Sequence, residues 1–325
     1  MLFCTFALNC KKMREELIIS GRNNYLIDPV LNIWHWQIPL YLFLGGLAAG
    51  ILFFAALYKI MGKEKDYPTA VRVAPLIVPV LLVLGLIALF LDLKHKMFFW
   101  QLYTTIKLQS PMSWGAWTLM AVTPLSILWA ALHIKEVFPN WDWKFKILNN
   151  IEALGKKYII EIAWFIIVFS VILGIYTGIL FSAFNARPLW NTSILGPLFL
   201  ASGLSTGAAA IMLMSKNKIE RKTFAKIDLM LIAIELFLIV HMFMGFLAST
   251  QVQIDAAQLF LGGAYTAPFW IFVVSLGLVF PAILEILELR KVHIPAYLPG
   301  ILVLFGGIML RFIIANAGQA SRWLY

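Results

Sequence analysis

A few polar residues stand out in a chain that is otherwise apolar. Asn32 and His35 lie three apart just ahead of the first long apolar run, and Asp92 and His95 close the second. Ser110-Pro111-Met112-Ser113-Trp114-Gly115 leads into the third run, Tyr176 and Thr177 lie late in the fourth, and Asn316, Gln319 and Arg322 close the eighth. On a helix, a spacing of three puts Asn32 and His35 on one face. An imidazole, an amide, a phenol and a carboxylate at an apolar boundary suit a ligand with carbonyl acceptors and an apolar ring and tail, and a quinone is such a ligand. Its redox chemistry moves protons as well as electrons, and an imidazole titrates near neutral pH. In this reading His35 hydrogen-bonds and proton-couples one carbonyl, Asn32 orients it, Tyr176 holds the other, and Asp92 is a nearby proton acceptor. The same residues could instead anchor helix ends at the lipid headgroups.

A second set lies deeper. Glu235 and His241 fall within the sixth apolar run and Arg311 within the eighth. Ionisable groups inside a membrane are costly, so these are functional candidates by default, and an arginine there needs a partner. Glu235, His241 and Asp255 are the available partners for Arg311. The alternatives are a structural ion pair and a proton relay. Glu161, Asp228, Glu285 and Glu288 fall near the opposite ends of their helices and read as interfacial groups or as an entrance for protons.

The elements that must position these residues follow from the apolar runs. The chain has 325 residues, 62% hydrophobic and only 13% charged, with a mean hydropathy of +0.86. A soluble domain carries about 25% charged residues. Stretches free of Asp, Glu, Lys and Arg cover Trp36–Tyr58, Val73–Leu91, Leu108–Ile134, Ile162–Ala186 and Pro188–Ser215. Three more cover Leu229–Ile254, broken by Glu235, then Ala256–Leu284, then Ile294–Ser321, broken by Arg311. Each fits a membrane-spanning helix of about 20 residues, and none alternates like a membrane β-strand. The expected fold is all-α integral membrane, with eight transmembrane helices in two four-helix bundles: residues 28–187 with the first site, and 188–325. Residues 1–27 read as a peripheral N-terminal arm. They make a poor secretory signal, and Met13 is a plausible alternative start.

Charge sets the orientation. The loops and ends on the N-terminal side hold nine Lys and Arg, and those on the other side hold sixteen. The richer side is expected to be cytoplasmic, with both termini periplasmic. The net charge of +10 therefore reads as topology and lipid contact rather than nucleic-acid binding. The hydrophilic stretch Lys135–Tyr158, with Trp141 and Trp143, is expected on the membrane surface. Pro39-Leu-Tyr-Leu-Phe-Leu-Gly-Gly46-Leu-Ala-Ala-Gly50 is echoed by Pro197-Leu-Phe-Leu-Ala-Ser-Gly203-Leu-Ser-Thr-Gly207. The echo suits either a parallel four-helix repeat or two small-residue packing seams.

Several classes are excluded. Cys4 and Cys10 are the only cysteines, too few for an iron–sulfur cluster in this chain. The five histidines, His35, His95, His133, His241 and His293, show no strong pattern for paired haem ligation. No nucleotide-binding glycine loop and no HExxH zinc motif occurs. A transporter or channel with buried charges, and a purely structural anchor, remain as readings of another class.

Trp34-His35-Trp36-Gln37-Ile38-Pro39-Leu-Tyr41-Leu-Phe-Leu-Gly45-Gly46-Leu-Ala-Ala-Gly50 resembles the first-helix signature of the NrfD/PsrC family, membrane subunits of polysulfide reductase and related respiratory complexes. Phe90-Leu-Asp92-Leu, Ser110–Gly115, Gly174-Ile-Tyr176-Thr-Gly178 and Ala315-Asn-Ala-Gly-Gln319 extend the resemblance. It implies a menaquinone- or ubiquinone-binding subunit without haem, in the inner membrane, with its site near the periplasmic face. It implies a four-cluster iron–sulfur subunit docked there and a catalytic subunit of the molybdopterin kind beyond it, so the main catalytic site lies on another polypeptide. It also implies that Asn32, His35 and Tyr176 contact the quinone.

Overall fold

We describe a computed structural model of residues 33–143, 146–290, 292, 294–295 and 297–323. Among the described residues eight helices are long and apolar enough to cross a membrane: α1 (Gln37–Ile60), α2 (Thr69–Asp92), α3 (Pro111–Val137), α4 (Ile159–Ser182), α5 (Leu195–Met214), α6 (Lys218–Leu247), α7 (Pro268–Leu289) and α8 (Tyr297–Ala320). Hydrocarbon offers the backbone no hydrogen-bond partner, so each apolar run satisfies its own amides and carbonyls as helix. Proline marks several starts, where no amide donor is missed: Pro111 opens α3 and Pro268 opens α7.

Some boundaries differ from the apolar runs. α2 begins at Thr69 as a π turn and passes through a 3-10 stretch at Ala74–Ile77 before Val78–Asp92 winds regularly. Pro75 and Pro79 lack amide donors, and the hydrogen-bond register shifts around them. α6 extends past its apolar run to Lys218, where the Asn217 side chain caps the amide of Ile219 at 2.9 Å. The run Ala256–Leu284 is split between a short helix, Gln251–Leu261, and α7, whose Pro268–Val279 portion is π-wound.

α1 and α5 form the centre, with most of their residues buried. α1 packs on α2, α4, α5 and α8, and α5 packs on α1, α4, α6 and α8. The echoed motifs are the two sides of this central contact: a Cβ on Gly50 would overlap the carbonyl of Gly203, and one on Gly207 would lie 2.6 Å from the carbonyl carbon of Gly50. Small residues let the helix backbones touch where hydrocarbon gives no hydrophobic drive to associate. The outer helices turn apolar side chains outward at helical spacing, as with Trp164, Phe165, Val168 and Ile172 on α4 and Met230, Ile234 and Phe237 on α6. Such a band suits lipid.

Helix Lys146–Lys157 lies in the Lys135–Tyr158 stretch, with Ile147, Ile151 and Leu154 exposed and Gly155 seated on Leu132. Glu152 ties it to the end of α3 through Lys135 at 2.8 Å and pairs within the helix with Lys156 at 2.7 Å. This is the arrangement expected of a surface helix.

Candidate functional site

Helix parity brings the loops α2–α3, α4–α5 and α6–α7 to the same end of the molecule as the start of α1 and the end of α8. The segment entering α1 is fixed there by the far end of the sequence. Gln319 Oε1 accepts from the amides of Ile33 at 3.0 Å and Trp34 at 2.9 Å, and its Nε2 donates to the Trp34 carbonyl at 2.8 Å. The Trp34 ring stacks on Trp190 at 5.2 Å and meets Phe181 and Phe184. Trp190 in turn donates from its indole to the Ile314 carbonyl at 2.9 Å. The residues around His35 thus rest on α4, on the loop leading into α5 and on α8 together.

His35 is exposed and precedes α1, which begins at Gln37. The shared helical face expected for Asn32 and His35 therefore does not arise from helix geometry, because the residue before the helix is not helical. Asn32 lies outside the described residues. His35 is within electrostatic reach of Asp92, the last residue of α2, which is half-buried.

Behind Asp92 is a cavity of about 90 Å³. Tyr41 of α1, Asp92 of α2, Tyr103 of the α2–α3 loop and Tyr176 of α4 supply its polar groups, and Trp34, Ile38, Leu89, Leu119 and Leu180 are among its apolar walls. The Tyr41 and Tyr176 phenols line it from adjoining helices. Burial pushes the Tyr103 phenol above its ordinary value, which keeps it a hydrogen-bond donor at neutral pH. Asp92 and Tyr176 were expected here from the sequence. Tyr41 and Tyr103 were not, although Tyr41 follows the first-helix proline by two residues.

The Ser110–Gly115 motif gives this cavity one wall residue, Met112. Ser113 Oγ donates to the Thr105 carbonyl at 3.0 Å and accepts from the Lys107 amide at 3.3 Å, while the Trp114 indole donates to the Leu108 carbonyl at 2.8 Å. These bonds fold the loop back over α3. Gly115 has no room for a side chain because the Tyr176 ring fills that space. Tyr176 also borders an outer apolar groove between α3 and α4, with Trp114, Ile172, Ile175 and Ile179. Leu89, Leu93, Leu102 and Tyr103 border a second groove beside α2. The inner cavity thus shares walls with two open apolar grooves.

Residues 26–321 match a family profile described as "Polysulphide reductase, NrfD". The sequence is 32% identical to the C chain of polysulfide reductase from Wolinella succinogenes, over 88% of this sequence and 94% of that one. It is 31% identical to protein NrfD of Escherichia coli, over 89% and 96%. It is 26% identical to an NrfD homolog of Haemophilus influenzae, over 89% and 95%. This chain belongs to the NrfD/polysulphide reductase family. As a member of it, and with eight apolar helices, it is a multi-pass membrane protein.

In this NrfD-family protein the deeper polar set is also organised. Arg311 is fully buried. Its Nη1 donates to Ser202 Oγ at 2.6 Å and to Gly307 O at 2.8 Å, its Nη2 donates to Phe199 O at 3.2 Å, and its guanidinium lies over the Phe199 ring. Glu235 is 2% exposed and lies within electrostatic reach of it, near Ser202 and Ser205. The structure thus brings Glu235 and Arg311 together. It turns His241 outward against Phe237, leaves Glu161 exposed, and leaves Asp255 bonded to Gln251 at the surface. Asp228 and Glu285, read from sequence as interfacial, are fully buried. Distance from the end of an apolar run placed them, and that distance could not reveal that α6 extends beyond its run and packs that end against α5 and α7.

Proposed function

We propose that this protein is the quinone-reactive membrane subunit of a respiratory oxidoreductase, exchanging electrons with an iron–sulfur subunit docked at the end of the molecule that carries Gln319. Residues 28–187 form the quinone-binding half and 188–325 a second four-helix half. The carrying observation is a cavity with three phenols and one carboxyl, set one wall away from lipid-facing grooves. A quinone matches that donor set: its carbonyls accept hydrogen bonds, and its tail suits an apolar groove. A cavity of about 90 Å³ is smaller than the ~150 Å³ that admits a benzene ring, so ring entry displaces side chains of the mostly exposed α2–α3 loop.

When bound, a menaquinone or ubiquinone supplies the electron and proton couple. The protein's own residues hold and position it. Tyr176 and Tyr41 offer hydroxyl donors from α4 and α1, and Tyr103 offers one from the loop. Asp92 is placed to accept a proton at its carboxyl, with His35 nearby. Asn32 orients the ligand beside His35. The name of the Wolinella relative, one lettered chain of a polysulfide reductase, supports a multi-subunit assembly with a separate catalytic subunit, here proposed as molybdopterin-dependent. The charge bias supports a cytoplasmic-membrane location with both termini and this site on the periplasmic side.

The test is quinol-dependent turnover of the assembled complex. His35→Ala and Tyr176→Phe should each reduce it by about 100-fold, the low end of the range for loss of a positioned proton-transfer group, while subunit assembly is retained. Unchanged turnover in both would reject the assignment.

A further inference from the structure

From Lys218 to Asp228, α6 projects past the apolar run that begins at Leu229, a length of about 16 Å. The projection carries Lys218, Arg221, Lys222 and Lys226, with Lys216 just before it. A cluster of cations at the foot of a membrane helix is drawn to anionic headgroups, and the fold decides which of these groups is free to meet them. Glu220 is turned fully inward, where it takes the Ala70 amide at 2.8 Å and the Ser215 hydroxyl at 2.7 Å. Asp228 is fully buried as well, with the Ser205 hydroxyl donating to it at 2.6 Å. Arg221 is drawn toward α7 by Glu288 at 3.3 Å. Lys218, Lys222 and Lys226 stay exposed, and among the described residues no carboxylate is bonded to any of them.

These three lysines recur every four residues, so they climb one side of the helix. The same side continues as Met230, Ile234 and Phe237, whose apolar side chains are exposed. Around the helix axis Lys226, Met230 and Phe237 fall within about 40° of one another, and Lys222 lies about 40° from Lys226. Ammoniums four residues apart on a helix repel each other, and the two nearby carboxylates are committed inward, so the offsetting charge comes from outside the protein. What stands beside the lysines follows from the stripe above them. Met230, Ile234 and Phe237 face hydrocarbon, and the polar edge of that same leaflet is its layer of headgroups. Lys226 lies three residues before Leu229, about 5 Å along the axis, and the headgroup layer is roughly 5–7 Å deep on each side. Lys222 is one turn further out, and its flexible stem carries the ammonium back to that layer.

We propose that this lysine ladder is a binding site for anionic phospholipid. Lys222 and Lys226 hold the headgroup phosphate, Lys218 adds to the field at the outer edge, and the acyl chains lie along Met230, Ile234 and Phe237. A zwitterionic lipid presents the same phosphate with a cation attached, so the ladder selects headgroups of net negative charge. Orientation of the chain needs only that cations lie on this side of the membrane; their alignment with the lipid-facing stripe is what makes a site. The site does not depend on quinone chemistry.

Native mass spectrometry of the full-length protein, released from nanodiscs of equal phosphatidylcholine and phosphatidylglycerol, tests it. The wild type should retain phosphatidylglycerol in preference, and the preference should fall as salt rises. Loss of each lysine should weaken it about 5-fold, and Lys222→Gln/Lys226→Gln together ~25-fold. Both positions are exposed, glutamine forms helix about as well as lysine, and fourteen cations remain on this side against nine, so fold and orientation are kept. Lys156→Gln, whose ammonium is already bonded to Glu152 at 2.7 Å, should change the preference little. Equal retention of the two lipids by the wild type, a preference indifferent to salt, or one that survives the double substitution would overturn the proposal. So would cross-linking of Lys222 and Lys226 to an acidic segment of another subunit in the assembled complex, which would assign the ladder to protein docking. If the double variant fails to fold, the wild-type preference and its salt dependence decide.

Discussion

Gln319 and Trp34 lie 285 residues apart in sequence, yet the Gln319 amide brackets the Trp34 backbone, accepting from its N–H at 2.9 Å and donating to its C=O at 2.8 Å. One side chain at the end of α8 thereby sets where the backbone enters α1, and with it the position of His35. Gln319→Ala removes three hydrogen bonds, including that to Ile33. At roughly 1 kcal/mol per bond, the expected loss is about 2–3 kcal/mol of local stability. Hydrogen exchange at residues 33–36 should accelerate while the centres of α1 and α5 stay protected.

Gly115 and Tyr176 make a paired prediction. Gly115→Ala forces the Tyr176 ring out of its place, so its effect on quinol-dependent turnover should match that of Tyr176→Phe in direction. It should exceed it in size, because the wall is moved as well as the hydroxyl. Ala at a nearby exposed position such as Trp114 should have a smaller effect. Steady-state kinetics of the three variants would decide the ranking.

The central seam tolerates no side chain. Gly50→Ala places a methyl into the Gly203 carbonyl, and overpacking of this kind costs about 1–3 kcal/mol or more. The thermal midpoint in detergent should fall clearly. Gly45→Ala, on the same helix with open space around it, should leave it nearly unchanged.

The buried arginine and its carboxylate respond asymmetrically. A carboxyl left alone can take up a proton, but a guanidinium cannot lose one at workable pH. Glu235→Gln removes the carboxylate whose charge acts on the buried Arg311 guanidinium, and a buried charge left uncompensated is costly. Arg311→Met should cost less than Glu235→Gln, once its lost packing on Phe199 is allowed for. Comparative melting curves would show the order.

The α1–α2 loop supplies a pH prediction. The Lys59 ammonium bonded to Glu64 holds that carboxyl below its ordinary value. A lowered folded-state value means the contribution to stability is present above the unfolded value and lost as pH falls through the carboxylate range. Hydrogen exchange at residues 61–67 should therefore rise on acidification in the native protein and show no such step in Glu64→Gln.

Span number, order and packing seams were legible because hydrocarbon forces apolar runs into helices and glycine into close crossings. The Gly46/Gly50 and Gly203/Gly207 echo was visible in the sequence, though only the structure joins its two copies into one contact. Tyr176 and Asp92 were legible by their setting at helix ends. Tyr41 and Tyr103 were not, since a tyrosine in an apolar run looks like any interfacial aromatic until a neighbour's hydroxyl is found opposite. The nearness of Glu235 to Arg311 was among the expected relationships. His241 was misjudged because a separation of six on a helix points a side chain away from its reference residue. Asp228 and Glu285 were hidden by the charged extension of α6, which reads as loop but packs as helix.

The most direct test of the quinone site is photolabelling of the assembled complex with an azido-quinone, followed by peptide mapping. Label is expected in the segments that carry Leu89–Tyr103 and Tyr176–Leu180, competed by unlabelled quinone. Competed label confined to α6 and α7, or no competed label in this protein at all, would contradict the site.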